Sequence, residues 1–362
     1  MTTRSEGPDP LLLEHMTWPE VELALTRGMT TAVVPVGSIE QHGPHLPLLV
    51  DAARGEALGR RVASALGDAL VAPAIRVGCS EHHMGFAGTI SLTPETLEAV
   101  CRDYAVSLAR HGFHEVYFVP SHGGNFEPLG KIIPRLQEAV DRVNSDCRVV
   151  AYTDLLGIVA VWRWVVEQEV GLGSRVGGHA DIAESSELLH LHPELVRTER
   201  AEAGTVGVLD QTAVELIFEK GFRAITANGI LGDARGMDAG LGEQLLDATA
   251  RVMVQAFREE GGVELPAAAA DEAAAHAPIR EGSALRVPEL ADDEPLVEGD
   301  FESLEELAEV EEEDVLSHDF DDDDYDGFGS GEFDTDEYDE DDPDARSYFG
   351  DDLDLDDELD RP

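Results

Sequence analysis

A carboxylate, an imidazole and a second carboxylate follow one another in Gly37-Ser38-Ile39-Glu40-Gln41-His42-Gly43-Pro44-His45-Leu46-Pro47 and Asp51. Oxygen and imidazole donors of this kind suit zinc, manganese or iron. Glu40 and His42 are two residues apart, so in extended backbone they project to the same side. A lone loop histidine is usually a surface or hydrogen-bonded residue. The weight lies in several donor types gathered in one strand-exit loop. Ser121-His122-Gly123-Gly124-Asn125 places another histidine behind an apolar run, with paired glycines that let backbone approach a ligand closely. Taken alone, it is a tight turn. In Gly177-Gly178-His179-Ala180-Asp181-Ile182-Ala183-Glu184-Ser185-Ser186 an acid lies about one helical turn beyond His179. Taken alone, that is a helix start, with Asp181 near the positive end of the helix dipole.

The elements that must position these residues alternate along the chain. Val33–Gly37, Leu70–Ile75, Val116–Pro120 and Val149–Tyr152 are short β-branched apolar runs bounded by Gly, Pro or polar residues, and they read as buried strands. Helical patterns cover Ala53–Leu66, Pro94–His111 with Thr93 as N-cap and Pro94 at the first position, Phe126–Val143, Ile182–His190 and Leu241–Phe257. Alternation of this kind predicts an α/β fold, a three-layer α/β/α arrangement with a mostly parallel sheet. Ligands of such folds bind where loops leave the carboxyl ends of the strands.

The chain has 362 residues and a formal net charge of −51. The charge is concentrated beyond Leu265, where there are 39 acidic and 4 basic residues. Residues 1–264 are therefore expected to form a globular, enzyme-sized domain, and 265–362 an acidic, low-complexity, disordered tail. An anionic surface argues against nucleic acid and against anionic membranes as partners. Three cysteines, Cys79, Cys101 and Cys147, lack both an even count and Cys-x-x-Cys spacing, which suits a reducing cytoplasm. No secretory signal or membrane span is expected; the most apolar run, Gly157–Val166, is short and contains Arg163.

Together the three histidine-containing blocks resemble the creatininase family, over about Leu13–Glu259. The hallmark Gly-Ser-x-Glu-Gln-His-Gly-Pro-His-Leu-Pro is matched throughout, as is the His-Gly-Gly-Asn turn. Glu81-His82-His83-Met84-Gly85-Phe86-Ala87-Gly88-Thr89-Ile90-Ser91-Leu92 and Asn228-Gly229-Ile230-Leu231-Gly232-Asp233 are also family-like. The third hallmark, His-Ala-Gly-x-x-Glu-Thr-Ser, is departed from at Asp181 and Ser185.

The resemblance implies two divalent metal ions (Zn, Mn or Fe). It makes Glu40 and His122 ligands of one, His42 a ligand of the other, and Asp51 the bridge. Creatininase proper supplies a further carboxylate two residues after the histidine of the third strand, where this chain has Gly124; Glu184 is the candidate replacement. His179 is the candidate for proton transfer, with orientation of substrate or a ligand as its alternative, and Glu184 is grouped with it at the catalytic centre. Ser80, His83, Gly123 and Trp162 are candidate substrate contacts, although apolar packing is an equal reading for Trp162. His45 is expected to support a ligand, and His111, His114, His190 and His192 to lie at helix ends or on the surface.

The implied activity is hydrolysis of a C–N bond of a small-molecule substrate, an amide, cyclic amide or formamide, by a water shared between two metal ions. Within the family the alternatives are a peptidase of mycofactocin maturation and opening of an oxidised inositol ring. The missing carboxylate at Gly124 argues against creatinine itself. No nucleophile elbow or phosphate loop is present to suggest another chemistry. The family also implies a homo-oligomer, commonly a hexamer. A reading of a different class is an interaction protein. Tail aromatics Phe320, Tyr325, Phe328, Phe333 and Tyr338, interleaved with acids, would dock a basic protein partner; a solvated appendage is the simpler account of the tail.

Overall fold

The structure is a computed structural model, and it describes residues 9–258. The expected tail at 265–362 lies outside the described residues. After a first helix, α1 (Trp18–Thr26), the chain runs through β1 (Thr31–Val36), α2 (Val50–Leu66), β2 (Ala69–Val71), α3 (Pro94–Arg110), β3 (Glu115–Pro120), α4 (Gly123–Asp141) and β4 (Arg148–Ala151). It continues through α5 (Leu155–Val170), β5 (Val176–His179), α6 (Ile182–Leu191), α7 (Gln211–Lys220), β6 (Leu231–Gly232) and α8 (Ala239–Arg258).

The first four strands form one parallel sheet in the order β2-β1-β3-β4. Its strands are buried on both faces, which is why they read as continuous apolar runs rather than alternating ones. Along β1 and β3 the side chains divide between two cores. Val33, Tyr117 and Val119 face α2, α5, α6 and α8, whereas Ala32, Val34, Val36, Val116 and Phe118 face α3 and α4. The three-layer α/β/α reading is thereby met. α3 is capped as its sequence indicates, with Thr93 Oγ1 accepting from Thr96 N at 3.2 Å.

From β1 the chain crosses to β2 on one side and then to β3 on the other. The crevice between the carboxyl ends of β1 and β3 is thus the switch point where this architecture receives ligands. Val36 and Pro120 end the two strands opposite each other. The loop with Glu40 and His42 leaves β1 there, and His122 follows β3.

Two boundaries differ from the sequence reading, and both matter. α2 begins at Val50, so Asp51 stands in the first turn of a helix instead of in the strand-exit loop. An acid is favoured there by the helix dipole. α4 begins at Gly123, with His122 as its N-cap, so the Gly-Gly pair is helical and not a tight turn. Gly37 permits the approach of β1 to α2: a Cβ there would lie 2.7 Å from Ala52 Cα and 2.9 Å from the carbonyl carbon of Asp51. The apolar run Gly157–Val166 is the buried middle of α5, where Arg163 donates to the carbonyl of Val176 at 2.6 Å. Among the described residues no helix is long and apolar enough to cross a membrane.

Candidate metal centre

The six residues assigned by sequence to metal ligation or proton transfer come from five elements: the β1 exit, which carries both Glu40 and His42, the start of α2, the N-cap of α4, the end of β5 and the first turn of α6. Glu40, His42, Asp51, His122, His179 and Glu184 are all buried. His122 Nδ1 lies 3.2 Å from Glu40 Oε1 and 3.4 Å from Asp51 Oδ2. His42 Nε2 lies 3.6 Å from the other oxygen, Asp51 Oδ1, and 3.5 Å from Glu184 Oε2. Donor atoms sharing one tetrahedral ion at bond lengths of roughly 2.1 Å would stand about 3.4 Å apart. Glu40, Asp51 and His122 could therefore hold one ion, and His42, Asp51 and Glu184 another. A third combination, Glu40, His42 and His179, overlaps both.

The electrostatics fit cations. Glu40 Oε1, His42 Nε2 and Asp51 Oδ2 are fully buried without a hydrogen-bond partner among the described residues. Leaving such groups unsatisfied costs about 1–3 kcal/mol each, and positive ions at the two positions would meet all three. Without an ion, protons take its part. Burial opposes a charge on His42, but Asp51, Glu184 and Glu40 outweigh it and raise its pKa to about 9. Burial likewise opposes charge on His122, and the carboxylates of Glu40 and Asp51 hold it well above the usual histidine range. Protons and metal compete for these nitrogens. Metal binding at pH 7 is therefore expected to release protons, and affinity to rise with pH up to about 9. Calorimetry in buffers of differing ionisation enthalpy reads the release directly; a proton-neutral titration would contradict it.

The remaining contacts fix ring orientations, as partners of ligating histidines do elsewhere. His122 Nε2 is 3.0 Å from the carbonyl oxygen of Cys79 and 3.2 Å from Ser80 Oγ. The nitrogen turned toward the carboxylates is consequently Nδ1. His42 Nδ1 is 3.1 Å from the carbonyl oxygen of Glu40, leaving Nε2 inward. Gln41 organises the next layer. Its Oε1 accepts from Gly43 N, and its amide donates to His83 Nδ1 at 3.1 Å and to the carbonyl of Gly229 at 3.2 Å. The backbone carbonyl of Gln41 lies 2.9 Å from His179 Nε2. The same Nε2 lies 3.0 Å from the side-chain amide nitrogen of Gln41, so Gln41 brackets it with one acceptor and one donor. His179 Nδ1 is turned to the cluster, 3.9 Å from Glu40 Oε1 and 3.8 Å from Glu184 Oε2. Burial and the neighbouring His42 charge hold His179 well below the usual pKa, so the ring is neutral.

Asp181 is a helix cap, as the simpler reading had it. Its carboxylate accepts from Ala183 N, Gly177 N and Gly178 N at 2.7–2.8 Å. Ala180, between His179 and Asp181, has φ +52°, a conformation L-residues rarely adopt. Its N–H donates to Glu184 Oε2 at 2.6 Å. The strained turn thus aims Glu184 at the cluster.

Of the proposed substrate contacts, His83 and Gly123 line the cavity above the cluster. Ser80 is fully buried behind His122, bonded to it and to Ser38 Oγ at 2.5 Å. Trp162 lies at the cavity's inner wall, donating to Thr249 Oγ1 at 2.9 Å. His45 Nε2 is 2.7 Å from Ser185 Oγ. Gly124 has no room for a side chain: a Cβ would overlap the carbonyl oxygen of Cys79 and His122 Nε2 and stand 2.7 Å from His82 Cε1. Gly124→Glu is therefore expected to cost about 1–3 kcal/mol by overpacking and to lower Tm without adding a ligand, measurable by thermal melts with and without metal.

Sequence reasoning missed three groups. Phe222 stacks on His83 at 4.0 Å between ring centroids and meets His179 edge-on at 4.7 Å, roofing the cluster. Nothing local marks it. Gln41 lies inside the first motif without an assigned role. Arg54, fully buried, donates to Glu184 Oε1 at 2.7 Å and to the carbonyl of Ser121 at 3.0 Å. One signal could have found it: a charged residue one turn after Asp51 on a face of α2 otherwise made of Val50, Ala53, Ala57 and Leu58.

The sequence model of the creatininase family, described as creatinine amidohydrolase, matches residues 14–257. A protein named mycofactocin precursor peptide peptidase from Mycobacterium ulcerans (strain Agy99) is 34% identical over 227 residues, covering 60% of this chain and 76% of the relative. Creatinine amidohydrolase of Pseudomonas putida is 29% identical over 264 residues, covering 68% and 95%. A solved mutant creatininase of the Zn-Zn type superposes with TM-score 0.58 at 28% identity, covering 69% of this chain and 98% of that one. The structure described as "Creatininase Mn" gives 0.56 at 27%, with the same coverage.

Proposed function

The chain belongs to the creatininase family of hydrolases, and from that and the geometry above we propose that it hydrolyses the C–N bond of an amide at a centre of two divalent metal ions. One observation carries the reading. The two oxygens of Asp51 face different histidines, Oδ2 toward His122 and Oδ1 toward His42, each with its own further carboxylate. Glu40, Asp51 and His122 would hold one ion; His42, Asp51 and Glu184 would hold the second. When bound, such a pair activates water near neutral pH and polarises a carbonyl oxygen.

The chain's own groups supply the rest. His179 is neutral and offers Nδ1 to the cluster, so it takes a proton there and returns it to the departing nitrogen. In that role Nε2 carries the other ring proton and donates it to the carbonyl of Gln41. Phe222, Ile217, Leu209 and Leu155 close an apolar wall around the cavity, which excludes water and strengthens these polar interactions.

A peptide substrate is the second reading, and two features favour it over a small polar ring. Gly124 stands where creatininase has a carboxylate, with no room for one. His82, Phe218 and Phe222 line both the cavity and a longer groove that runs along residues 91–95, the first turns of α4 and residues 218–223. Such a groove suits an extended chain leading to the scissile bond. Metal-loaded protein assayed against creatinine, formamides and short peptides, each with a chelator control, tests both readings. Chelator-sensitive cleavage of peptides selects the second. A protein that retains no metal and cleaves nothing in a metal-dependent way overturns the proposal.

A further inference from the structure

Glu184 reaches the cluster with one oxygen only, because the other is held elsewhere. Arg54 Nη1 donates to Glu184 Oε1 at 2.7 Å, while Glu184 Oε2 faces His42 and accepts from Ala180 N. The same Nη1 stands 3.5 Å from Asp51 Oδ1. Behind it, Arg54 Nε donates to Glu187 Oε2, and Arg54 Cζ sits 4.7 Å from the ring centroid of Trp162. Arg54 and Glu187 are both buried, and Glu187 Oε1 has no hydrogen-bond partner among the described residues.

A buried guanidinium beside two carboxylates would repel a cation at those carboxylates. An adjacent buried anion cancels it, and breaking such a pair leaves an uncompensated charge. Glu187 is the carboxyl group placed to offset the guanidinium. Burial raises its pKa to about 7 against the pull of Arg54, so it is partly ionised at neutral pH, and its ion pair is with Arg54 and not with a proposed metal-binding atom. We propose that Arg54 and Glu187 are a positioning pair for the second ion. The pair presents Glu184 by Oε2 alone, in place of the carboxylate that position 124 lacks, and Glu187 offsets the charge of Arg54. The inference rests on the two-ion reading above, and it concerns only the position formed by His42, Asp51 and Glu184. Among the described residues, neither Glu40 nor His122 forms a hydrogen bond or ion pair with Arg54 or Glu187.

Metal titration of the full chain, with zinc alone as the probe, separates the possibilities. Wild-type protein should take up two ions. Glu187→Gln removes the carboxylate paired with Arg54 Nε without removing a ligand, and Arg54→Lys keeps the charge but loses the planar fork. In each variant the second ion's dissociation constant should rise about 10- to 100-fold, as for other residues that orient metal ligands. The first ion's should stay within twofold of wild type. A purely structural role would lower Tm and leave the ratio of the two affinities unchanged. Both variants binding both ions as wild type does would overturn the proposal. So would loss of folding in both, which would make the pair a packing device. Fewer than two ions in wild type would instead overturn the reading on which the proposal rests.

Discussion

Asp51→Asn is expected to lower kcat/KM by at least about 10³-fold, equivalent to roughly 4 kcal/mol of transition-state stabilisation. The reason is its double engagement. Asp51 Oδ2 lies 3.4 Å from His122 Nδ1 and Asp51 Oδ1 lies 3.6 Å from His42 Nε2, so one amide substitution weakens both donor sets. Glu40→Gln and Glu184→Gln each touch one set. Metal analysis of the three purified variants should therefore show Asp51→Asn depleted of both ions and each of the others retaining one. The loss at Asp51 should exceed that at either partner. If Asp51→Asn kept two ions and near-normal turnover, Asp51 would be no bridge.

The second large effect separates proton transfer from ligation. His179→Ala should reduce kcat by about 10²- to 10⁴-fold, the usual range for a positioned acid–base group, while both ions are retained. His179 Nδ1 is 3.8–3.9 Å from Glu184 Oε2 and Glu40 Oε1, farther than the histidine–carboxylate separations within either donor set. Its neutral state suits a base, and its Nε2 is anchored by the carbonyl and side-chain amide of Gln41. Inductively coupled plasma measurements beside single-turnover kinetics make the test. Loss of one ion in His179→Ala would assign the ring to the metal set that joins it with Glu40 and His42.

Much of this architecture was legible because the sheet is buried on both faces. β1, β3 and β4 are short β-branched runs ended by Gly, Pro or polar residues, and periodicity finds such runs readily. Asp51 was legible as a residue but not as a helical one. The first turn of α2 follows Pro47-Leu48-Leu49, whose apolar side chains give no boundary signal. α1 and α7 were not anticipated, nor was the β5–β6 pair, where β6 is two residues long and gets its register from tertiary contacts.

The six cluster residues could be named in advance because their motifs lie at element ends. Their grouping could not be, since it depends on which oxygen of Asp51 turns which way. Arg54 and Glu187 escaped notice for a related reason. Each is a charge on a helix, and without a partner in view such a residue is ordinarily assigned to a solvated face, although the apolar face of α2 around Arg54 is a signal against it. Only the packing of α2 against α6 brings them together. Trp162, offered as a substrate contact or as packing, lies under Arg54 and against Thr249.

Anomalous diffraction from zinc-loaded crystals tests the central claim most directly. Two anomalous peaks should appear on either side of the Asp51 carboxylate, one among Glu40, Asp51 and His122, the other among His42, Asp51 and Glu184. A single peak, or peaks only at the protein surface, would contradict it.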